Sequence, residues 1–375
     1  MKILLLAGEE SGVLYAGRIR AEVLKCLPDA EIRGYGDYGF KVADLAVMGV
    51  GQVLRKIFYF LRVKRTMEKA IAEWRPDVVC TVDYPGMNLK LAAYAKSRGI
   101  RTVHVVCPQV WAWKRGRIPK IEAALDKLCC FFPFEPGLFR PGFAEFVGHP
   151  LVDEMEAERT SKDPAEAQSR GEGRVLAILP GSRIGEINKH MPVLQDVLGS
   201  LDRTLRLRVS AEGLRVVIPA ANERAYRTIQ SYVSRLSSST CAVEIRRGGA
   251  REVLRQADAA VVASGTATLE AALAGCPTVL VYRVGWLFAF LARRLIKGVK
   301  HIGLANIIAE KAGRECPMPE LLQENLTSDG VLERVTPWLT DASANAAARQ
   351  RLADTMKLLK SDGGAIARIS NVLLG

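Results

Sequence analysis

The sequence predicts an α/β protein built from two Rossmann-like domains. Three observations indicate this fold class. At 375 residues the chain is long for a single hydrophobic core. Short β-rich apolar runs alternate with helical patterns, which is typical of parallel βαβ units. The alternation is interrupted by a polar stretch at 156–173, interpreted as a linker, and then starts again. We therefore predict one domain over 1–160 and a second over 161–354.

The elements of the first domain follow in chain order. A strand is predicted in KILLLAG (2–8) and a helix in LYAGRIRAEVLKCL (14–27). Further strands are predicted in AEIRGYG (30–36), PDVVCTVDYP (76–85) and RTVHVVCP (101–108), with a helix in NLKLAAYAKSRG (88–99). In the second domain the predicted strands are RVLAILPG (174–181), LRVVIPA (214–220), CAVEIRRGG (241–249), AAVVASGT (259–266) and TVLVYRV (278–284). The tail from about Asp341 is predicted to form one or two helices, and a helix at about 355–375 to pack back on the first domain.

Charge and composition limit the classes of function. The formal net charge of +13 favours an anionic partner such as a phosphorylated substrate, an acidic lipid or a nucleic acid. The chain has no signal peptide pattern and no long uncharged apolar run, so we expect a cytoplasmic protein without a membrane span. Its eight cysteines form no CxxC pair and its four histidines are scattered, which favours reduced buried thiols over a zinc site. We expect neither a metal nor a cofactor.

Two turns in the second half have the pattern of anion sites. LPGSR (179–183) follows a predicted strand, so its backbone N–H groups and the guanidinium of Arg183 suit a diphosphate. ASGTATLEAALAGCP (263–277) places glycine at the end of a strand and at the start of a helix. Glu270 lies one turn inside that helix, where its carboxylate suits ribose hydroxyls. The alternatives are a tight turn with an exposed arginine, and a capped helix with a favourable first-turn charge. The candidate nucleotide-binding residues of these turns are Gly181, Ser182, Arg183, Ser264, Gly265, Thr266, Thr268 and Glu270.

Two loops in the first half carry candidate carboxylates. AGEESG (7–12) follows the first strand and holds Glu9, Ser11 and Gly12, while TVDYPGMN (81–88) holds Asp83 and Asn88. An aspartate at the end of a buried strand can act as a general base, although a helix-capping aspartate is the alternative. His149 of FVGHP (146–150) is interpreted as a structural hydrogen-bonding residue.

Three further segments combine apolar and basic residues. The loop CPQVWAWKRGRIPKI (107–121) places Trp111 and Trp113 near Arg117, which suits an acyl chain beside a phosphate, or the stacking of a nucleic acid. The segments at 53–65, with Phe58 and Phe60, and at 285–300 have apolar faces edged with lysine and arginine. This pattern suits the surface of an anionic bilayer, and buried helices with basic edges are the alternative.

Taken together, these motifs resemble the lipid-A-disaccharide synthase family, bacterial inverting glycosyltransferases of the GT-B fold. The resemblance covers almost the whole chain in order. Its motifs are AGEESG (7–12), LAVMGV (45–50), VDYPGMN (82–88), PQVWAWKRGR (108–117), FPFE (132–135), FVGHPLVDEM (146–155), LPGSRIGEI (179–187), ASGTATLEAAL (263–273), VYR (281–283) and NIIA (306–309). Two positions depart from the family pattern, since Val13 and Gly86 stand where aspartates are expected.

The resemblance implies a fold, a reaction and site residues. The two Rossmann-like domains would face each other across a cleft. The donor would be UDP-2,3-diacylglucosamine and the acceptor 2,3-diacylglucosamine 1-phosphate (lipid X), giving a β-1,6 disaccharide 1-phosphate and UDP. Asp83 is the first candidate for the base and Glu9 the second; the matched motifs add Tyr282, Arg283 and Asn306 to the UDP site. The chain lacks D-x-D spacing, so arginine and helix dipoles would replace a metal on the diphosphate.

The resemblance also implies a location at the inner face of the cytoplasmic membrane, on anionic phospholipid. A homodimer is left open. Two other functions compete with this interpretation. One is an enzyme like UDP-N-acetylglucosamine 2-epimerase, which acts on a soluble sugar nucleotide. The other is a non-enzymatic basic binder of nucleic acid or membrane, although the dispersed basic residues disfavour nucleic acid.

Overall fold

The computed structural model describes residues 1–45, 57–160, 173–206, 213–236, 242–285 and 298–375. Its contacts divide the chain into two units. Unit 1 comprises Met1–Asp153 together with Leu359–Gly375, and unit 2 comprises Glu154–Leu358. Each unit contains a six-stranded sheet in which every described strand pair is parallel. The architecture predicted from the sequence is therefore confirmed as α/β.

Unit 1 has six strands with helices between most of them. The strands are β1 Lys2–Ala7, β2 Glu31–Arg33, β3 Val78–Val82, β4 Arg101–Val105, β5 Lys127–Cys130 and β6 Ala144–Phe146. The helices are α1 Glu10–Cys26, α2 Val42–Leu45, α3 Ile57–Trp74, α4 Pro85–Lys96, α5 Ile118–Ala124 and α6 Pro150–Thr160, which continues into unit 2. Short 3-10 turns lie at Tyr35–Tyr38, Arg115–Arg117 and Pro136–Leu138.

The strand order of unit 1 creates a topological switch point. The order is β2-β1-β3-β4-β5-β6, so the chain leaves β1 toward one side of the sheet and returns on the other at β3. Alternate residues of β1 enter two hydrophobic clusters, Ile3 and Leu5 on one face and Leu4 and Leu6 on the other. Ligands of such sheets bind beyond the carboxyl ends of the strands at this point. Glu9 follows β1 and Asp83 follows β3, so the fold directs both residues to that edge.

Unit 2 repeats this arrangement. Its strands are β7 Val175–Leu179, β8 Arg215–Ala220, β9 Ala242–Arg247, β10 Ala259–Ala263, β11 Thr278–Tyr282 and β12 Glu320–Leu322. Its helices are α7 Ile184–Arg206, α8 Glu223–Val233, α9 Ala250–Gln256, α10 Thr266–Leu273, α11 Leu304–Lys311, α12 Ser328–Thr340 and α13 Ala342–Met356. Two further 3-10 turns lie at Gln323–Asn325 and Lys357–Leu359. The sheet order β12-β11-β10-β7-β8-β9 places the switch point between β7 and β10.

The last helix, α14 Ala365–Leu374, belongs to unit 1. Its buried residues Ile369 and Leu373 enter the same hydrophobic cluster as Ile19 and Val23 of α1. The guanidinium of Arg101 at the start of β4 donates to the carbonyls of Val372 and Leu373, at 2.6 and 2.7 Å. Carbonyls at a helix C-terminus have no intrahelical partner, so this contact caps α14 on the sheet.

The structure differs from the sequence prediction at four places. Strands β5, β6 and β12 were not predicted, since each has only three or four residues and too short an apolar pattern. The linker prediction is wrong for 156–160, which form the end of α6. The remaining linker residues 161–172, most of the motif at 45–50 and most of the basic segment at 285–300 lie outside the described residues. Among the described helices, none is both long and apolar enough to cross a membrane.

Candidate active site

A cavity of about 280 Å³ lies at the switch point of unit 2. We call it the switch-point cavity. The loops after β7, β8, β9 and β10 form it, as expected for a ligand site of a doubly wound sheet. Its lining combines apolar strand ends with two glycine turns, and consists of Leu179, Gly181, Ser182, Glu186, Pro219, Ala220, Ala221, Gly248, Ala250, Ala263, Ser264, Gly265, Thr266, Ala267 and Glu270. Both predicted anion-binding turns therefore reach one cavity.

The turn after β7 requires glycine at its centre. Gly181 has φ of 121°, a backbone conformation that side chains disfavour. A Cβ at this position would lie 2.9 Å from Glu186 Oε2. Glu186 in turn forms an ion pair with Arg183, with 3.1 Å between Nη1 and Oε1. The side chain of Arg183 is 60% exposed, so its guanidinium is free to move onto an anion beside the turn.

A buried histidine connects this turn with the end of β11. His190 Nε2 accepts the main-chain N–H of Arg283 at 3.0 Å, and Nδ1 lies 2.8 Å from the carbonyl oxygen of Pro180. Since a main-chain N–H can only donate, Nδ1 carries the proton of the neutral ring and donates to Pro180. Burial lowers the pKa of His190, which keeps the ring neutral. His190 thereby fixes the position of the Pro180–Gly181 turn.

The second turn opens helix α10. Gly265 precedes the helix with φ of 153°, and Thr266 and Ala267 of the first turn line the cavity. A helix N-terminus presents unpaired N–H groups and a partial positive charge, which suits phosphate oxygens. Thr268 is buried, and its hydroxyl donates to the carbonyl of Gly265 at 2.7 Å. The structure therefore assigns Thr268 to shaping the turn, since its hydroxyl does not line the cavity.

Glu270 is held by an arginine that the sequence analysis missed. Its Oε1 accepts from Nε of Arg251, on α9, at 2.8 Å. Arg251 Nη1 also donates to Glu154 and Glu158 of α6, at 3.2 and 2.9 Å. Burial by itself would lower the pKa of Arg251, but these carboxylates together, Glu270 foremost, outweigh that effect and raise the pKa. One guanidinium thus orients the Glu270 carboxylate and joins α9, α10 and α6.

At the switch point of unit 1, two carboxylates are electrostatically coupled. Burial, and then the charge of Asp83, raises the pKa of Glu9. Burial also raises the pKa of Asp83, against a main-chain hydrogen bond from Tyr84 to Asp83 Oδ1 at 2.8 Å. Asp83 and Tyr84 both have positive φ, 50° and 51°, which is uncommon for residues with a side chain. A raised carboxyl pKa and a strained backbone are features of functional positions.

Asn88 is a structural brace for this strained turn. Its side chain is buried, and its Nδ2 donates to the carbonyls of Leu6, Val82 and Asp83 at 2.7–3.2 Å. Its Oδ1 accepts the hydroxyl of Tyr35 at 2.8 Å. This amide is occupied at the ends of β1 and β3, and the contact of Asn88 with the acceptor stays a prediction. Ser11 is exposed in the first turn of α1, and Gly12 is buried against Val82.

The two tryptophans of the 107–117 loop differ in environment. Trp111 is buried, and its Nε1 donates to Glu135 Oε1 at 3.0 Å. Burial raises the pKa of Glu135 to about 8. Trp113 is 41% exposed, with Nζ of Lys114 4.4 Å from the ring centroid. Trp113 and the half-buried Arg117 are therefore accessible to a ligand, whereas Trp111 anchors the loop.

Comparison with known proteins identifies the family to which the chain belongs. The family profile described as lipid-A-disaccharide synthetase matches residues 3–364. The chain belongs to the lipid-A-disaccharide synthase family. The lipid-A-disaccharide synthase of Chromohalobacter salexigens is 34% identical over 370 residues, 94% of this chain and 92% of the relative. That of Myxococcus xanthus is 34% identical over 384 residues, covering 99% and 97% of the two chains. Lipid-A-disaccharide synthases are glycosyltransferases, so the chain is an enzyme of this class.

Solved structures share the fold at low sequence identity. The UDP-GlcNAc 2-epimerase of Neisseria meningitidis superposes with a TM-score of 0.63 at 12% identity, covering all of both chains. MurG of Acinetobacter baumannii superposes with a TM-score of 0.59 at 12% identity, covering 100% of this chain and 99% of the other. At these identities the likeness shows the fold alone. It confirms that this lipid-A-disaccharide synthase family member has the GT-B fold.

Three residues predicted for substrate binding have other contacts. The Arg283 guanidinium donates to the carbonyls of Gln323 and Leu326, at 2.8–3.3 Å. Asn306 is buried and donates to Met318 and Glu320, at 2.7 and 2.8 Å. These contacts assign both side chains to positioning the segments around β12. Phe60 is partly buried and packs on Tyr59 with 5.8 Å between ring centroids, against a hydrophobic cluster, and its role as a lipid contact stays a prediction.

Two residues important for the site gave no clear signal in the sequence. His190 lies inside a helix, where its spacing only marks it as core-facing. Arg251 lies among other charged residues of a short helix. Tyr282, in contrast, was predicted from the family motif and lies near the turn, with 6.2 Å between its ring centroid and that of His190. Burial, and then Glu186, raises the pKa of Tyr282.

Proposed function

We propose that this chain transfers 2,3-diacylglucosamine from its UDP derivative to the 6-hydroxyl of 2,3-diacylglucosamine 1-phosphate. The products are the β-1,6-linked disaccharide 1-phosphate and UDP, and the anomeric configuration is inverted. The observation that carries this proposal is the switch-point cavity, where the Gly181 and Gly265 turns line one space. Membership of the lipid-A-disaccharide synthase family supplies the substrate class.

In this reaction unit 2 stabilises the leaving diphosphate. Negative charge develops on UDP as the glycosidic bond breaks, so donors already aimed at that charge lower the barrier. The N-terminus of α10, the Gly181 turn and Arg183 are such donors. Glu270 accepts ribose hydroxyls while Arg251 holds its carboxylate. This set of groups performs the task without a metal on the diphosphate.

Unit 1 supplies the base. Asp83 accepts the proton of the attacking 6-hydroxyl, and Glu9 is the second candidate. The raised pKa of Asp83 supports this role, because a carboxylate becomes a stronger base as its pKa approaches the working pH. The strained Asp83–Tyr84 backbone, braced by Asn88, fixes the direction of the carboxylate.

We further propose that unit 1 binds the inner face of the cytoplasmic membrane. Phe58 of α3 is 82% exposed, and Leu61, Arg62 and Arg65 are exposed on the same helical face. The opposite face buries Val63, Met67, Ala70 and Ile71. An apolar ridge edged with arginine suits the interface of an anionic bilayer, where both acylated substrates reside.

The test is product formation from the two acylated sugars in mixed micelles. We expect UDP release only when donor and acceptor are both present, a β-1,6 linkage by NMR, and unchanged turnover in a chelator. Conversion of free UDP-N-acetylglucosamine without acceptor would instead support the epimerase-like alternative. Absence of uridine nucleotide binding by calorimetry, in folded protein, would overturn the proposal.

A further inference from the structure

Two cysteines and a glutamate that are distant in sequence meet inside unit 1. The Sγ atoms of Cys107 and Cys130 and a carboxylate oxygen of Glu135 all lie within 4.8 Å of one another, and all three residues are buried. Cys130 ends β5 and Cys107 lies two residues after β4, its parallel neighbour in the sheet. The carboxyl ends of adjacent parallel strands share one edge, which explains the convergence without a CxxC motif.

This set of donor atoms suits a thiophilic metal ion. Thiolates bind Zn²⁺ at about 2.3 Å and carboxylates at about 2.0–2.2 Å, in tetrahedral geometry. Ligand atoms around one such ion are therefore about 3.3–3.8 Å apart. The observed spread of no more than 4.8 Å needs only small side-chain movements to reach that geometry. Three protein ligands leave the fourth position to water.

The charge balance of the cluster also favours a cation. Glu135 is 1% exposed, and it accepts hydrogen bonds from neutral groups, among them Trp111 Nε1 at 3.0 Å and the main-chain N–H of Phe132 at 3.1 Å. The main-chain N–H of Phe131 and the thiol of Cys107 also donate to it. Among the described residues, no lysine, arginine or histidine forms an ion pair with Glu135. Burying an ionised carboxylate without a cationic partner is costly, and this cost raises the pKa of Glu135. A divalent ion would displace the protons of Glu135 and of both thiols and would compensate two of the three negative charges.

We propose that Cys107, Cys130 and Glu135 form a binding site for a thiophilic divalent cation such as Zn²⁺. The site lies beneath the loop that Trp111 anchors. It takes no part in the transfer reaction, and its existence does not depend on the proposed function. Because Trp111 donates to Glu135, occupation of the site would act directly on the anchor of the 107–117 loop.

Cobalt provides a spectroscopic probe for this site. Full-length reduced protein is titrated with Co²⁺, which gives thiolate-to-metal charge-transfer and tetrahedral ligand-field bands when bound by cysteine. We expect saturation at one Co²⁺ per chain, and loss of the bands when Zn²⁺ is added. Cys107→Ala and Cys130→Ala should abolish the bands, and Glu135→Gln should weaken cobalt binding at least tenfold.

Two cysteine variants serve as controls. Cys129→Ala removes a buried thiol next to Cys130 that lies outside the cluster, and it should leave the titration unchanged. Cys316→Ala removes the thiol that lies 3.2 Å from His301 Nε2, a competing pair of metal ligands. Circular dichroism and thermal melting identify variants that fail to fold. The proposal is overturned if folded, reduced wild-type protein shows no thiolate bands. It is also overturned if the bands survive in both Cys107→Ala and Cys130→Ala, or disappear in Cys316→Ala alone.

Discussion

Asp83, the proposed base, illustrates how burial of a carboxylate affects folding. Burial raises its pKa above the ordinary value of 3.8, so the folded chain binds this proton more tightly than the unfolded chain does. The stability of the fold therefore falls as the pH rises from that value through the pKa of the folded state. Glu9 has a raised pKa as well and acts in the same direction. An ionised carboxylate at either position therefore costs the fold some stability.

The variant Asp83→Asn separates these two effects. Asparagine keeps an oxygen for the N–H of Tyr84 but cannot accept the substrate proton. We expect turnover to fall by about 10²–10⁴-fold, the usual contribution of a general base. The melting temperature at neutral pH should stay unchanged or rise, because the buried charge is removed. Steady-state kinetics and calorimetry check the two parts.

The pH profile of the wild-type enzyme provides a control for this prediction. The base must be ionised, so kcat/KM should fall as the pH drops through the raised pKa, at a higher pH than an unperturbed aspartate would give. If Asp83→Asn kept wild-type turnover and the same fall of kcat/KM at low pH, the base would be another residue. Glu9→Gln would then be tested in the same way.

Arg251 is expected to act through Glu270. Replacing Arg251 by alanine frees the Glu270 carboxylate, so we expect the KM for the UDP donor to rise about tenfold with a smaller change in kcat, as for lost uniform binding. Arg255 is the matched control, since it binds Glu158 but has no described contact with Glu270. Arg255→Ala should leave the KM close to that of wild type. Equal increases of the KM in both variants would indicate that the ion pairs of the two arginines with α6 only stabilise the packing of α6 and α9.

At the level of elements, the sequence predicted the long strands and the loops after them well, and the contacts of individual side chains poorly. Strands β1, β3, β7 and β10 are continuous apolar runs that end in glycine or aspartate loops, so both strands and loop residues were found. The short edge strands β2 and β12 are defined mainly by their pairing with β1 and β11. The sequence predicted β2 but not β12. Asn88, Asn306 and Arg283 were predicted to bind substrate because they lie in motifs that match those of the family. Only the structure shows that their polar atoms are occupied by main-chain and side-chain groups of the same chain.

The turn after β7 and the first turn of α7 each contain a glycine, and the two positions have different requirements. We expect Gly181→Ala to destabilise the fold by about 1–3 kcal/mol, the usual cost of a strained backbone position, because its φ is 121° and Glu186 blocks a Cβ. Affinity for UDP should fall as well. Gly185 lies in the first turn of α7 with no atom within 4 Å of an added Cβ.

Gly185→Ala is therefore the matched control for that change. It should be neutral or stabilising by up to about 1 kcal/mol, the difference in helix propensity. Urea unfolding and UDP calorimetry measure both variants. If Gly181→Ala bound UDP as wild type does, the backbone of this turn would have no part in holding the diphosphate.

At the level of the whole molecule, the same sheet topology serves two tasks. Both units have a switch point, and in both the loops at that point carry the candidate residues. Unit 2 presents glycine turns and an arginine that suit an anion, whereas unit 1 presents two carboxylates. The physical difference between the two halves therefore lies in loop chemistry, and the shared framework explains why structures of epimerases and transferases superpose on this chain.

The net charge of +13 and the exposed ridge of α3 lead to a prediction about membranes. Binding to vesicles of anionic phospholipid should weaken as salt rises, because surface charges are screened. Phe58→Ser should lower the partition coefficient about tenfold or more, since burying a phenylalanine contributes about 1.5–3 kcal/mol. Leu27→Ser changes an apolar residue of unit 1 that is 38% exposed and lies just after α1, and it should have little effect. Cosedimentation measures both variants. An equal loss of vesicle binding in both variants would indicate non-specific adhesion. Unchanged vesicle binding of Phe58→Ser would show that α3 does not contribute to membrane binding.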